Sequence, residues 1–222
     1  MKEKKIIRSC IDCGMINCDK QDKFYPDFCL TTENARDDVL KEALELYDDE
    51  ENHEIMINAA NIESEYYGIM TRVEETIEFA KRMGFKKIGI ATCVGLIKES
   101  RILASIIRKR GFKVFGVACK AGATDKISVG IDESCKNVGA NMCNPIYQAK
   151  RLNAENTELN IVMGLCVGHD SLFYKYSDAL VTTLVTKDRV LGHNPVAALY
   201  TSNSYYGRLL KEDCSVENNT DK

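Results

Sequence analysis

ELNIVMGLCVGHD, Glu158 to Asp170, begins as a buried strand and ends as a run of reactive side chains. Leu159, Ile161, Val162, Met163 and Leu165 form a short, nearly continuous apolar run, the pattern of a strand covered on both faces. Cys166-Val167-Gly168-His169-Asp170 follows it. A second copy lies upstream: KIGIATCVG, Lys87 to Gly95, is again an apolar strand followed by Cys93-Val94-Gly95. Two strands with this ending place two thiols at the carboxyl end of a strand, where a helix begins. In open α/β sheets that edge is where ligands bind.

Outward from these two strands the texture is βαβ alternation. Strands are predicted at about Lys87–Thr92, Lys113–Ala118, the opening stretch, and Ala179–Val185. Helices are predicted at about Ile97–Arg110, from Pro145 with Asn144 as its cap, from His169-Asp170-Ser171 to Tyr176, and from Val196 to Tyr200. Ahead of the first strand, Thr31-Thr32 offers an N-cap and Glu33 an early acid for a helix through Tyr47. Two more helices are expected at about Asn52–Tyr67 and Arg72–Met83, the latter stopped by Gly84. This order predicts an α/β fold: a small Rossmann-like three-layer domain with about four parallel strands and helices on both faces. The expected organisation is a Cys-rich segment over 1–32, a helical lead-in and α/β domain over 33–214, and a polar, disordered tail over 215–222.

The totals exclude several classes. With 222 residues, 45% hydrophobic, the chain can bury a full core. The net charge of -3 and the lack of a long basic run argue against bulk attraction to nucleic acid. No apolar stretch reaches the roughly 18 to 20 residues that span a bilayer. The start, MKEKKIIRSC, has no apolar core of a secretory signal, so a cytoplasmic location is expected. The sequence contains no G-x-G-x-x-G after the first strand and no phosphate loop, G-x-S-x-G or H-E-x-x-H. It does not specify an oligomeric state.

Ten cysteines and three histidines direct attention to sulfur. In a reducing compartment, metal binding or catalysis explains such a count better than disulfides do. Cys10, Cys13, Cys18 and Cys29 form a C-x2-C-x4-C-x10-C pattern in a polar, turn-rich segment too short to build a core. Four thiolates on one metal would supply the missing folding free energy, roughly 10 kcal/mol or more for a structural zinc. The close triple also suits a [4Fe–4S] cluster, so zinc and iron–sulfur both stay open.

Cys93, Cys119 and Cys166 follow predicted strands, and Cys143 precedes a helix that leads back to the third strand. If the strands are parallel, these four thiols share one sheet edge. They would act as ligands of a second iron–sulfur cluster or as nucleophiles; the plain alternative is that they are small buried hydrophobes. His169, Asp170, Lys187, Arg189 and His193 fall at the ends of strands three and four. His169 and His193 are candidate acid–base groups, and Lys187 and Arg189 candidate holders of an anion. Asp170 could instead cap a helix, and His193-Asn194-Pro195 could be only a turn. Cys135 and Cys214 fit no pattern.

With these residues in view, the chain resembles a family of uncharacterised, predicted metal-binding proteins of anaerobic bacteria and archaea, a domain of unknown function. The resemblance is carried by the four N-terminal cysteines, Ala91-Thr-Cys93-Val-Gly-Leu96, Cys143-Asn-Pro-Ile146, Gly164-Leu-Cys-Val-Gly-His-Asp170 and Lys187-Asp-Arg-Val-Leu-Gly-His-Asn-Pro195. It implies metal binding. The expectation is a thiolate metal-binding protein whose crevice at the strand ends supports redox or sulfur-transfer chemistry on a small molecule or metal ligand. The alternative is a non-enzymatic sensor or carrier with a structural zinc.

Overall fold

The computed structural model describes residues 7–32 and 38–211. Glu33, Cys214 and the tail over 215–222 lie outside the described residues. The chain divides into two compact units, Met1–Glu63 and Ser64–Lys222. The helices after the cysteine segment therefore group with that segment up to residue 63.

In the first unit, a 3-10 turn at Cys10–Asp12 is followed by irregular chain to Thr32. The buried Asn17 side chain braces this loop: its amide donates to the Lys23 carbonyl at 2.8 Å and its oxygen accepts from Asp22 N–H at 3.0 Å. Helices α1 (Asp38–Glu45) and α2 (Glu50–Tyr66) come next, the last three residues of α2 counting with the second unit.

The second unit is built on a four-stranded parallel sheet of β1 (Lys87–Thr92), β2 (Lys113–Ala118), β3 (Leu159–Met163) and β4 (Leu180–Val185), in the order β2-β1-β3-β4. Helix α3 (Arg72–Arg82) precedes β1, and α4 (Ile97–Lys109), α5 (Pro145–Ala154) and α6 (His169–Tyr176) connect the strands. A short α7 (Val196–Tyr200) closes the domain. The ends of these helices are sequence-encoded. Thr71 and Glu74 form a reciprocal capping box at α3. Gly84 then takes the left-handed conformation (φ +69°) after it. Pro145 opens α5, and the Asn144 side chain accepts the Tyr147 N–H at 2.9 Å.

Alternation along each strand divides the core in two. Ile88, Ile90, Leu159, Ile161 and Met163 pack with Ile77, Ala80, Leu103 and Ile107 on one face. Ala91, Cys93, Val117, Cys119 and Val162 pack with Ala149, Leu152 and Phe173 on the other. The result is the expected Rossmann-like three-layer domain: α3 and α4, the sheet, then α5 and α6. At about 25 cal/mol per Å2, full burial of each large aliphatic side chain contributes about 1.5–3 kcal/mol. Gly89 permits the closest approach in this core, since a Cβ there would lie 2.0 Å from the Asn160 Oδ1. Asn160 is fully buried; its oxygen accepts from Thr157 at 2.8 Å and its amide donates to Ser177 at 2.8 Å. Among the described residues, no helix is long and apolar enough to cross a membrane.

The strand order locates the site. The chain leaves β1 for β2 on one side, then returns past β1 to place β3 on the other. The segments after β1 and β3 therefore diverge at their carboxyl ends, the place where open α/β sheets form a ligand crevice. The two Cys-Val-Gly segments, 93–95 and 166–168, stand at this switch point.

Candidate functional site

Register puts the thiols together. In the parallel pairing of β1 with β2, Ala91 faces Val117 and Thr92 faces Ala118. One step further, Cys93 comes beside Cys119 on the face that carries α5 and α6. Cys119 N–H donates to the Thr92 carbonyl at 2.8 Å, and Val94 N–H reaches the Cys119 sulfur at 3.5 Å. Asn144 N–H donates to the Cys119 carbonyl at 2.8 Å, which draws the start of α5 against the same edge. The Cys143 sulfur then lies 3.7 Å from that of Cys119.

These three sulfurs differ in access and in charge. Cys119 is 3% exposed and Cys93 9%, whereas Cys143 is half-buried. Cys119 is buried against the sulfurs of Cys143 and Cys93, and these contacts push its thiol well above the usual range. The same contacts pull the other two down. Cys143 is lowered to about 4, first by Cys119, then by His169 and Lys120. Cys93 is lowered to about 5, first by Cys119, then by the Gly95 N–H and Lys187. The contacts thus favour the proton on Cys119 and the thiolate form at Cys93 and Cys143. His169 is raised in turn by its hydrogen bond with Cys143.

The cations come from the segment after β4. Lys187 Nζ is 3.5 Å from the Cys93 sulfur, and Arg189 Nη2 is 2.9 Å from that of Cys166. Each of the two Cys-Val-Gly endings thus receives a cation from a single loop. Arg189 is held above its ordinary range mainly by Cys166, with smaller contributions from Cys93 and Cys143. Two glycines flank these contacts. A Cβ at Gly95 would sit in ordinary van der Waals contact with Lys187 Nζ, at 3.7 Å, and with the Cys93 sulfur, at 3.8 Å. One at Gly164 (φ +70°) would meet Leu96 at 2.3 Å.

Other expected residues build the frame. His193 takes a left-handed conformation (φ +68°), its Nδ1 accepts the Asp188 N–H at 3.1 Å, and its own N–H donates to the Asp188 carbonyl at 2.8 Å. Asp188 Oδ1 accepts from Val190 and Leu191 N–H. His193 and Asp188 therefore fold the loop that delivers Lys187 and Arg189. Asp170 accepts the Ser171 N–H at 2.8 Å. Cys166 stands three residues past the end of β3, and its carbonyl accepts from His169 and Asp170 N–H at the start of α6. Exposed Cys135 lies outside the crevice sulfurs; its carbonyl accepts from Lys126.

Two participants were not legible in the sequence. Lys120, in the loop after β2, donates to the Asn141 carbonyl and adds its charge beside Cys143 and His169. Gln148 is fully buried in α5, and its amide donates to the Thr92 carbonyl at 3.1 Å and the Val117 carbonyl at 2.7 Å. It ties together the ends of β1 and β2 and the helix that follows Cys143. The available signal was a glutamine on the inward face of a helix, between Pro145 and Leu152.

In the first unit, Cys10, Cys13, Cys18 and Cys29 line one cavity of about 100 Å3, with Tyr25 and Phe28 among its walls. Thr31 N–H donates to the Cys29 sulfur at 3.4 Å. Four thiols suit zinc or an iron–sulfur cluster by donor chemistry. Their placement is another matter: among the described residues, no three His, Cys, Asp or Glu side chains are positioned to hold a metal ion. That holds for the crevice as well.

Comparison with known proteins puts these residues in context. Residues 29–184 match the model of a family described as protein of unknown function (DUF1847). The chain belongs to this family. The matched span contains Cys29, all four crevice cysteines and His169, and stops before Lys187. The chain is also 47% identical over 184 residues to Uncharacterized protein MJ0455 of Methanocaldococcus jannaschii, covering 83% of this chain and 94% of that protein.

Proposed function

We propose that the protein carries out thiol chemistry, redox or sulfur transfer, at the crevice, with Cys143 as nucleophile and Cys119 as resolving thiol. The 3.7 Å contact between their sulfurs carries this reading. A disulfide needs about 2.0 Å between sulfurs, so the two thiols already stand in van der Waals contact, one short approach from the bond. The half-buried Cys143 meets the substrate, and the deep Cys119 meets only Cys143. With an organic disulfide RSSR, the Cys143 thiolate forms Cys143–S–SR and releases RS⁻. With the Cys143 thiolate consumed, Cys119 attacks the Cys143 sulfur as its thiolate while its proton passes to the leaving sulfur, forming the Cys119–Cys143 disulfide and RSH. The test is peptide mapping after exposure of reduced, oxygen-free protein to such a disulfide. The expected product is a Cys119–Cys143 bond, absent in Cys143→Ser and replaced in Cys119→Ser by a mixed adduct on Cys143. Reaction confined to other cysteines would overturn the assignment.

The N-terminal segment supports a second, compatible reading as a thiolate metal site. Its observation is that four thiols line one small cavity in a loop where Ile16 (φ +45°) and Gln21 (φ +56°) are held left-handed. A β-branched residue adopts that conformation only under external constraint. Closure of Cys10, Cys13, Cys18 and Cys29 on a metal would supply it. Metal and acid-labile sulfide analysis of protein purified without oxygen tests this. About one zinc, or iron with matching sulfide, lost in Cys13→Ser, is expected. Metal-free protein with four titratable N-terminal thiols would refute it.

A further inference from the structure

We infer that the crevice's substrate is a small anion carrying a sulfur–sulfur bond, of the thiosulfate or polysulfide class, whose outer sulfur the Cys143–Cys119 pair reduces to sulfide. This rests on the thiol-exchange reading above and adds the substrate to it.

Charge is the first argument. Lys120, His169, Lys187 and Arg189 approach the crevice sulfurs from three segments: the loop after β2, the start of α6 and the loop after β4. The neighbouring carboxylates of Asp170 and Asp188 are turned to backbone N–H groups of their own segments. Four basic side chains thus stand close to the crevice sulfurs, where they can hold an incoming anion and an anionic leaving group. Access is the second argument. Cys119 and Cys93 are enclosed, and Cys143 is half-buried. A half-buried thiol is met more readily by a small anion than by a disulfide on a folded partner.

The proximity of Cys119 sets the outcome. The Cys143 thiolate attacks the outer sulfur of thiosulfate, forming the persulfide Cys143–S–S⁻ and releasing sulfite. Cys119 then attacks the Cys143 sulfur as its thiolate while its proton passes to the leaving outer sulfur, forming the Cys119–Cys143 disulfide and releasing HS⁻. Two thiol sulfurs are oxidised and one sulfane sulfur is reduced. A dithiol of low molecular weight would reset the pair.

The test is a single turnover with reduced, full-length protein and thiosulfate, without oxygen. Expected are one hydrosulfide released and two thiols lost per chain, with a Cys119–Cys143 disulfide. Cys119→Ser should stop at a persulfide on Cys143, and Cys143→Ser should give neither product. Should that variant fail to fold, wild-type protein alkylated at Cys143 replaces it. Lys120→Gln combined with Arg189→Gln should lose about tenfold more rate with thiosulfate than with a neutral dialkyl trisulfide. Closure of the disulfide by an organic disulfide, with no sulfide from thiosulfate or trisulfide, would overturn the substrate class and leave thiol exchange standing. No reaction of Cys143 with any of these reagents would sink both.

Discussion

Alkylation of Cys143 as a function of pH gives the most direct measure of the arrangement around it. An ordinary thiol with a pKa of about 8.5 is about 0.3% thiolate at pH 6 and about 24% at pH 8, so its iodoacetamide rate rises about 75-fold across that range. Cys143, lowered to about 4, stays thiolate throughout. Its rate should therefore change by less than about twofold between pH 6 and pH 8. The assay is timed labelling of the native protein, with each cysteine followed by peptide mass spectrometry. The main cause of the lowering is the hydrogen bond from Cys119, so Cys119→Ala should restore a steep rise with pH. His169→Gln should do so to a smaller degree. The linkage has the sign of an acid: the folded-state pKa lies below the unfolded one, so the stabilising contribution of the thiolate is complete above the unfolded pKa and is lost as pH falls toward 4. A Cys143 rate that climbs in parallel with a free thiol, in protein whose Cys119 is intact, would refute the idea of a shared proton.

Three further outcomes follow from the packing. Gly89→Ala should destabilise the domain by about 2 kcal/mol or more in urea denaturation, since its Cβ would lie 2.0 Å from the Asn160 oxygen and must displace a buried hydrogen-bonded amide; a neutral substitution would mean that this approach is relaxed in solution. His193→Ala removes the acceptor for the Asp188 N–H and should cost about 1 kcal/mol. The same variant should raise alkylation of Cys166 as Arg189 is released, and an unchanged rate would show that the loop holds without the imidazole. Cys13→Ser should abolish metal retention by the N-terminal segment while leaving closure of the Cys119–Cys143 disulfide intact; loss of both would mean that the two sulfur sites depend on each other.

Much of the fold was written in local pattern. Apolar runs of five or six residues, bounded by Gly84, Gly111 and Pro145, are sufficient to mark buried parallel strands and the helices between them. The repeated Cys-Val-Gly was legible as two strand ends because a glycine turn after an apolar run has few other uses. Sequence order alone, however, does not give strand order. Only the β2-β1-β3-β4 arrangement makes the ends of β1 and β3 neighbours across a switch point. Register, in turn, decides that Cys93 stands beside Cys119 rather than one pleat away.

The chemistry divides in the same way. The sequence by itself determined which groups are available: thiols at strand ends, His169, and a Lys187–His193 segment rich in charge. The tertiary structure assigned their duties. His193 became the brace of a loop because its Nδ1 faces the Asp188 N–H, and Lys187 and Arg189 became partners of individual sulfurs. Lys120 and Gln148 entered the site without any local signature, since a cation in a loop and a glutamine in a helix acquire meaning only from what packs against them. The physical reason is range. Periodicity and capping act within a few residues and survive in the sequence, whereas a thiol's charge state is set by contacts within a few ångströms, across Cys119 to Cys143 and Cys93 to Lys187, that only the folded chain creates.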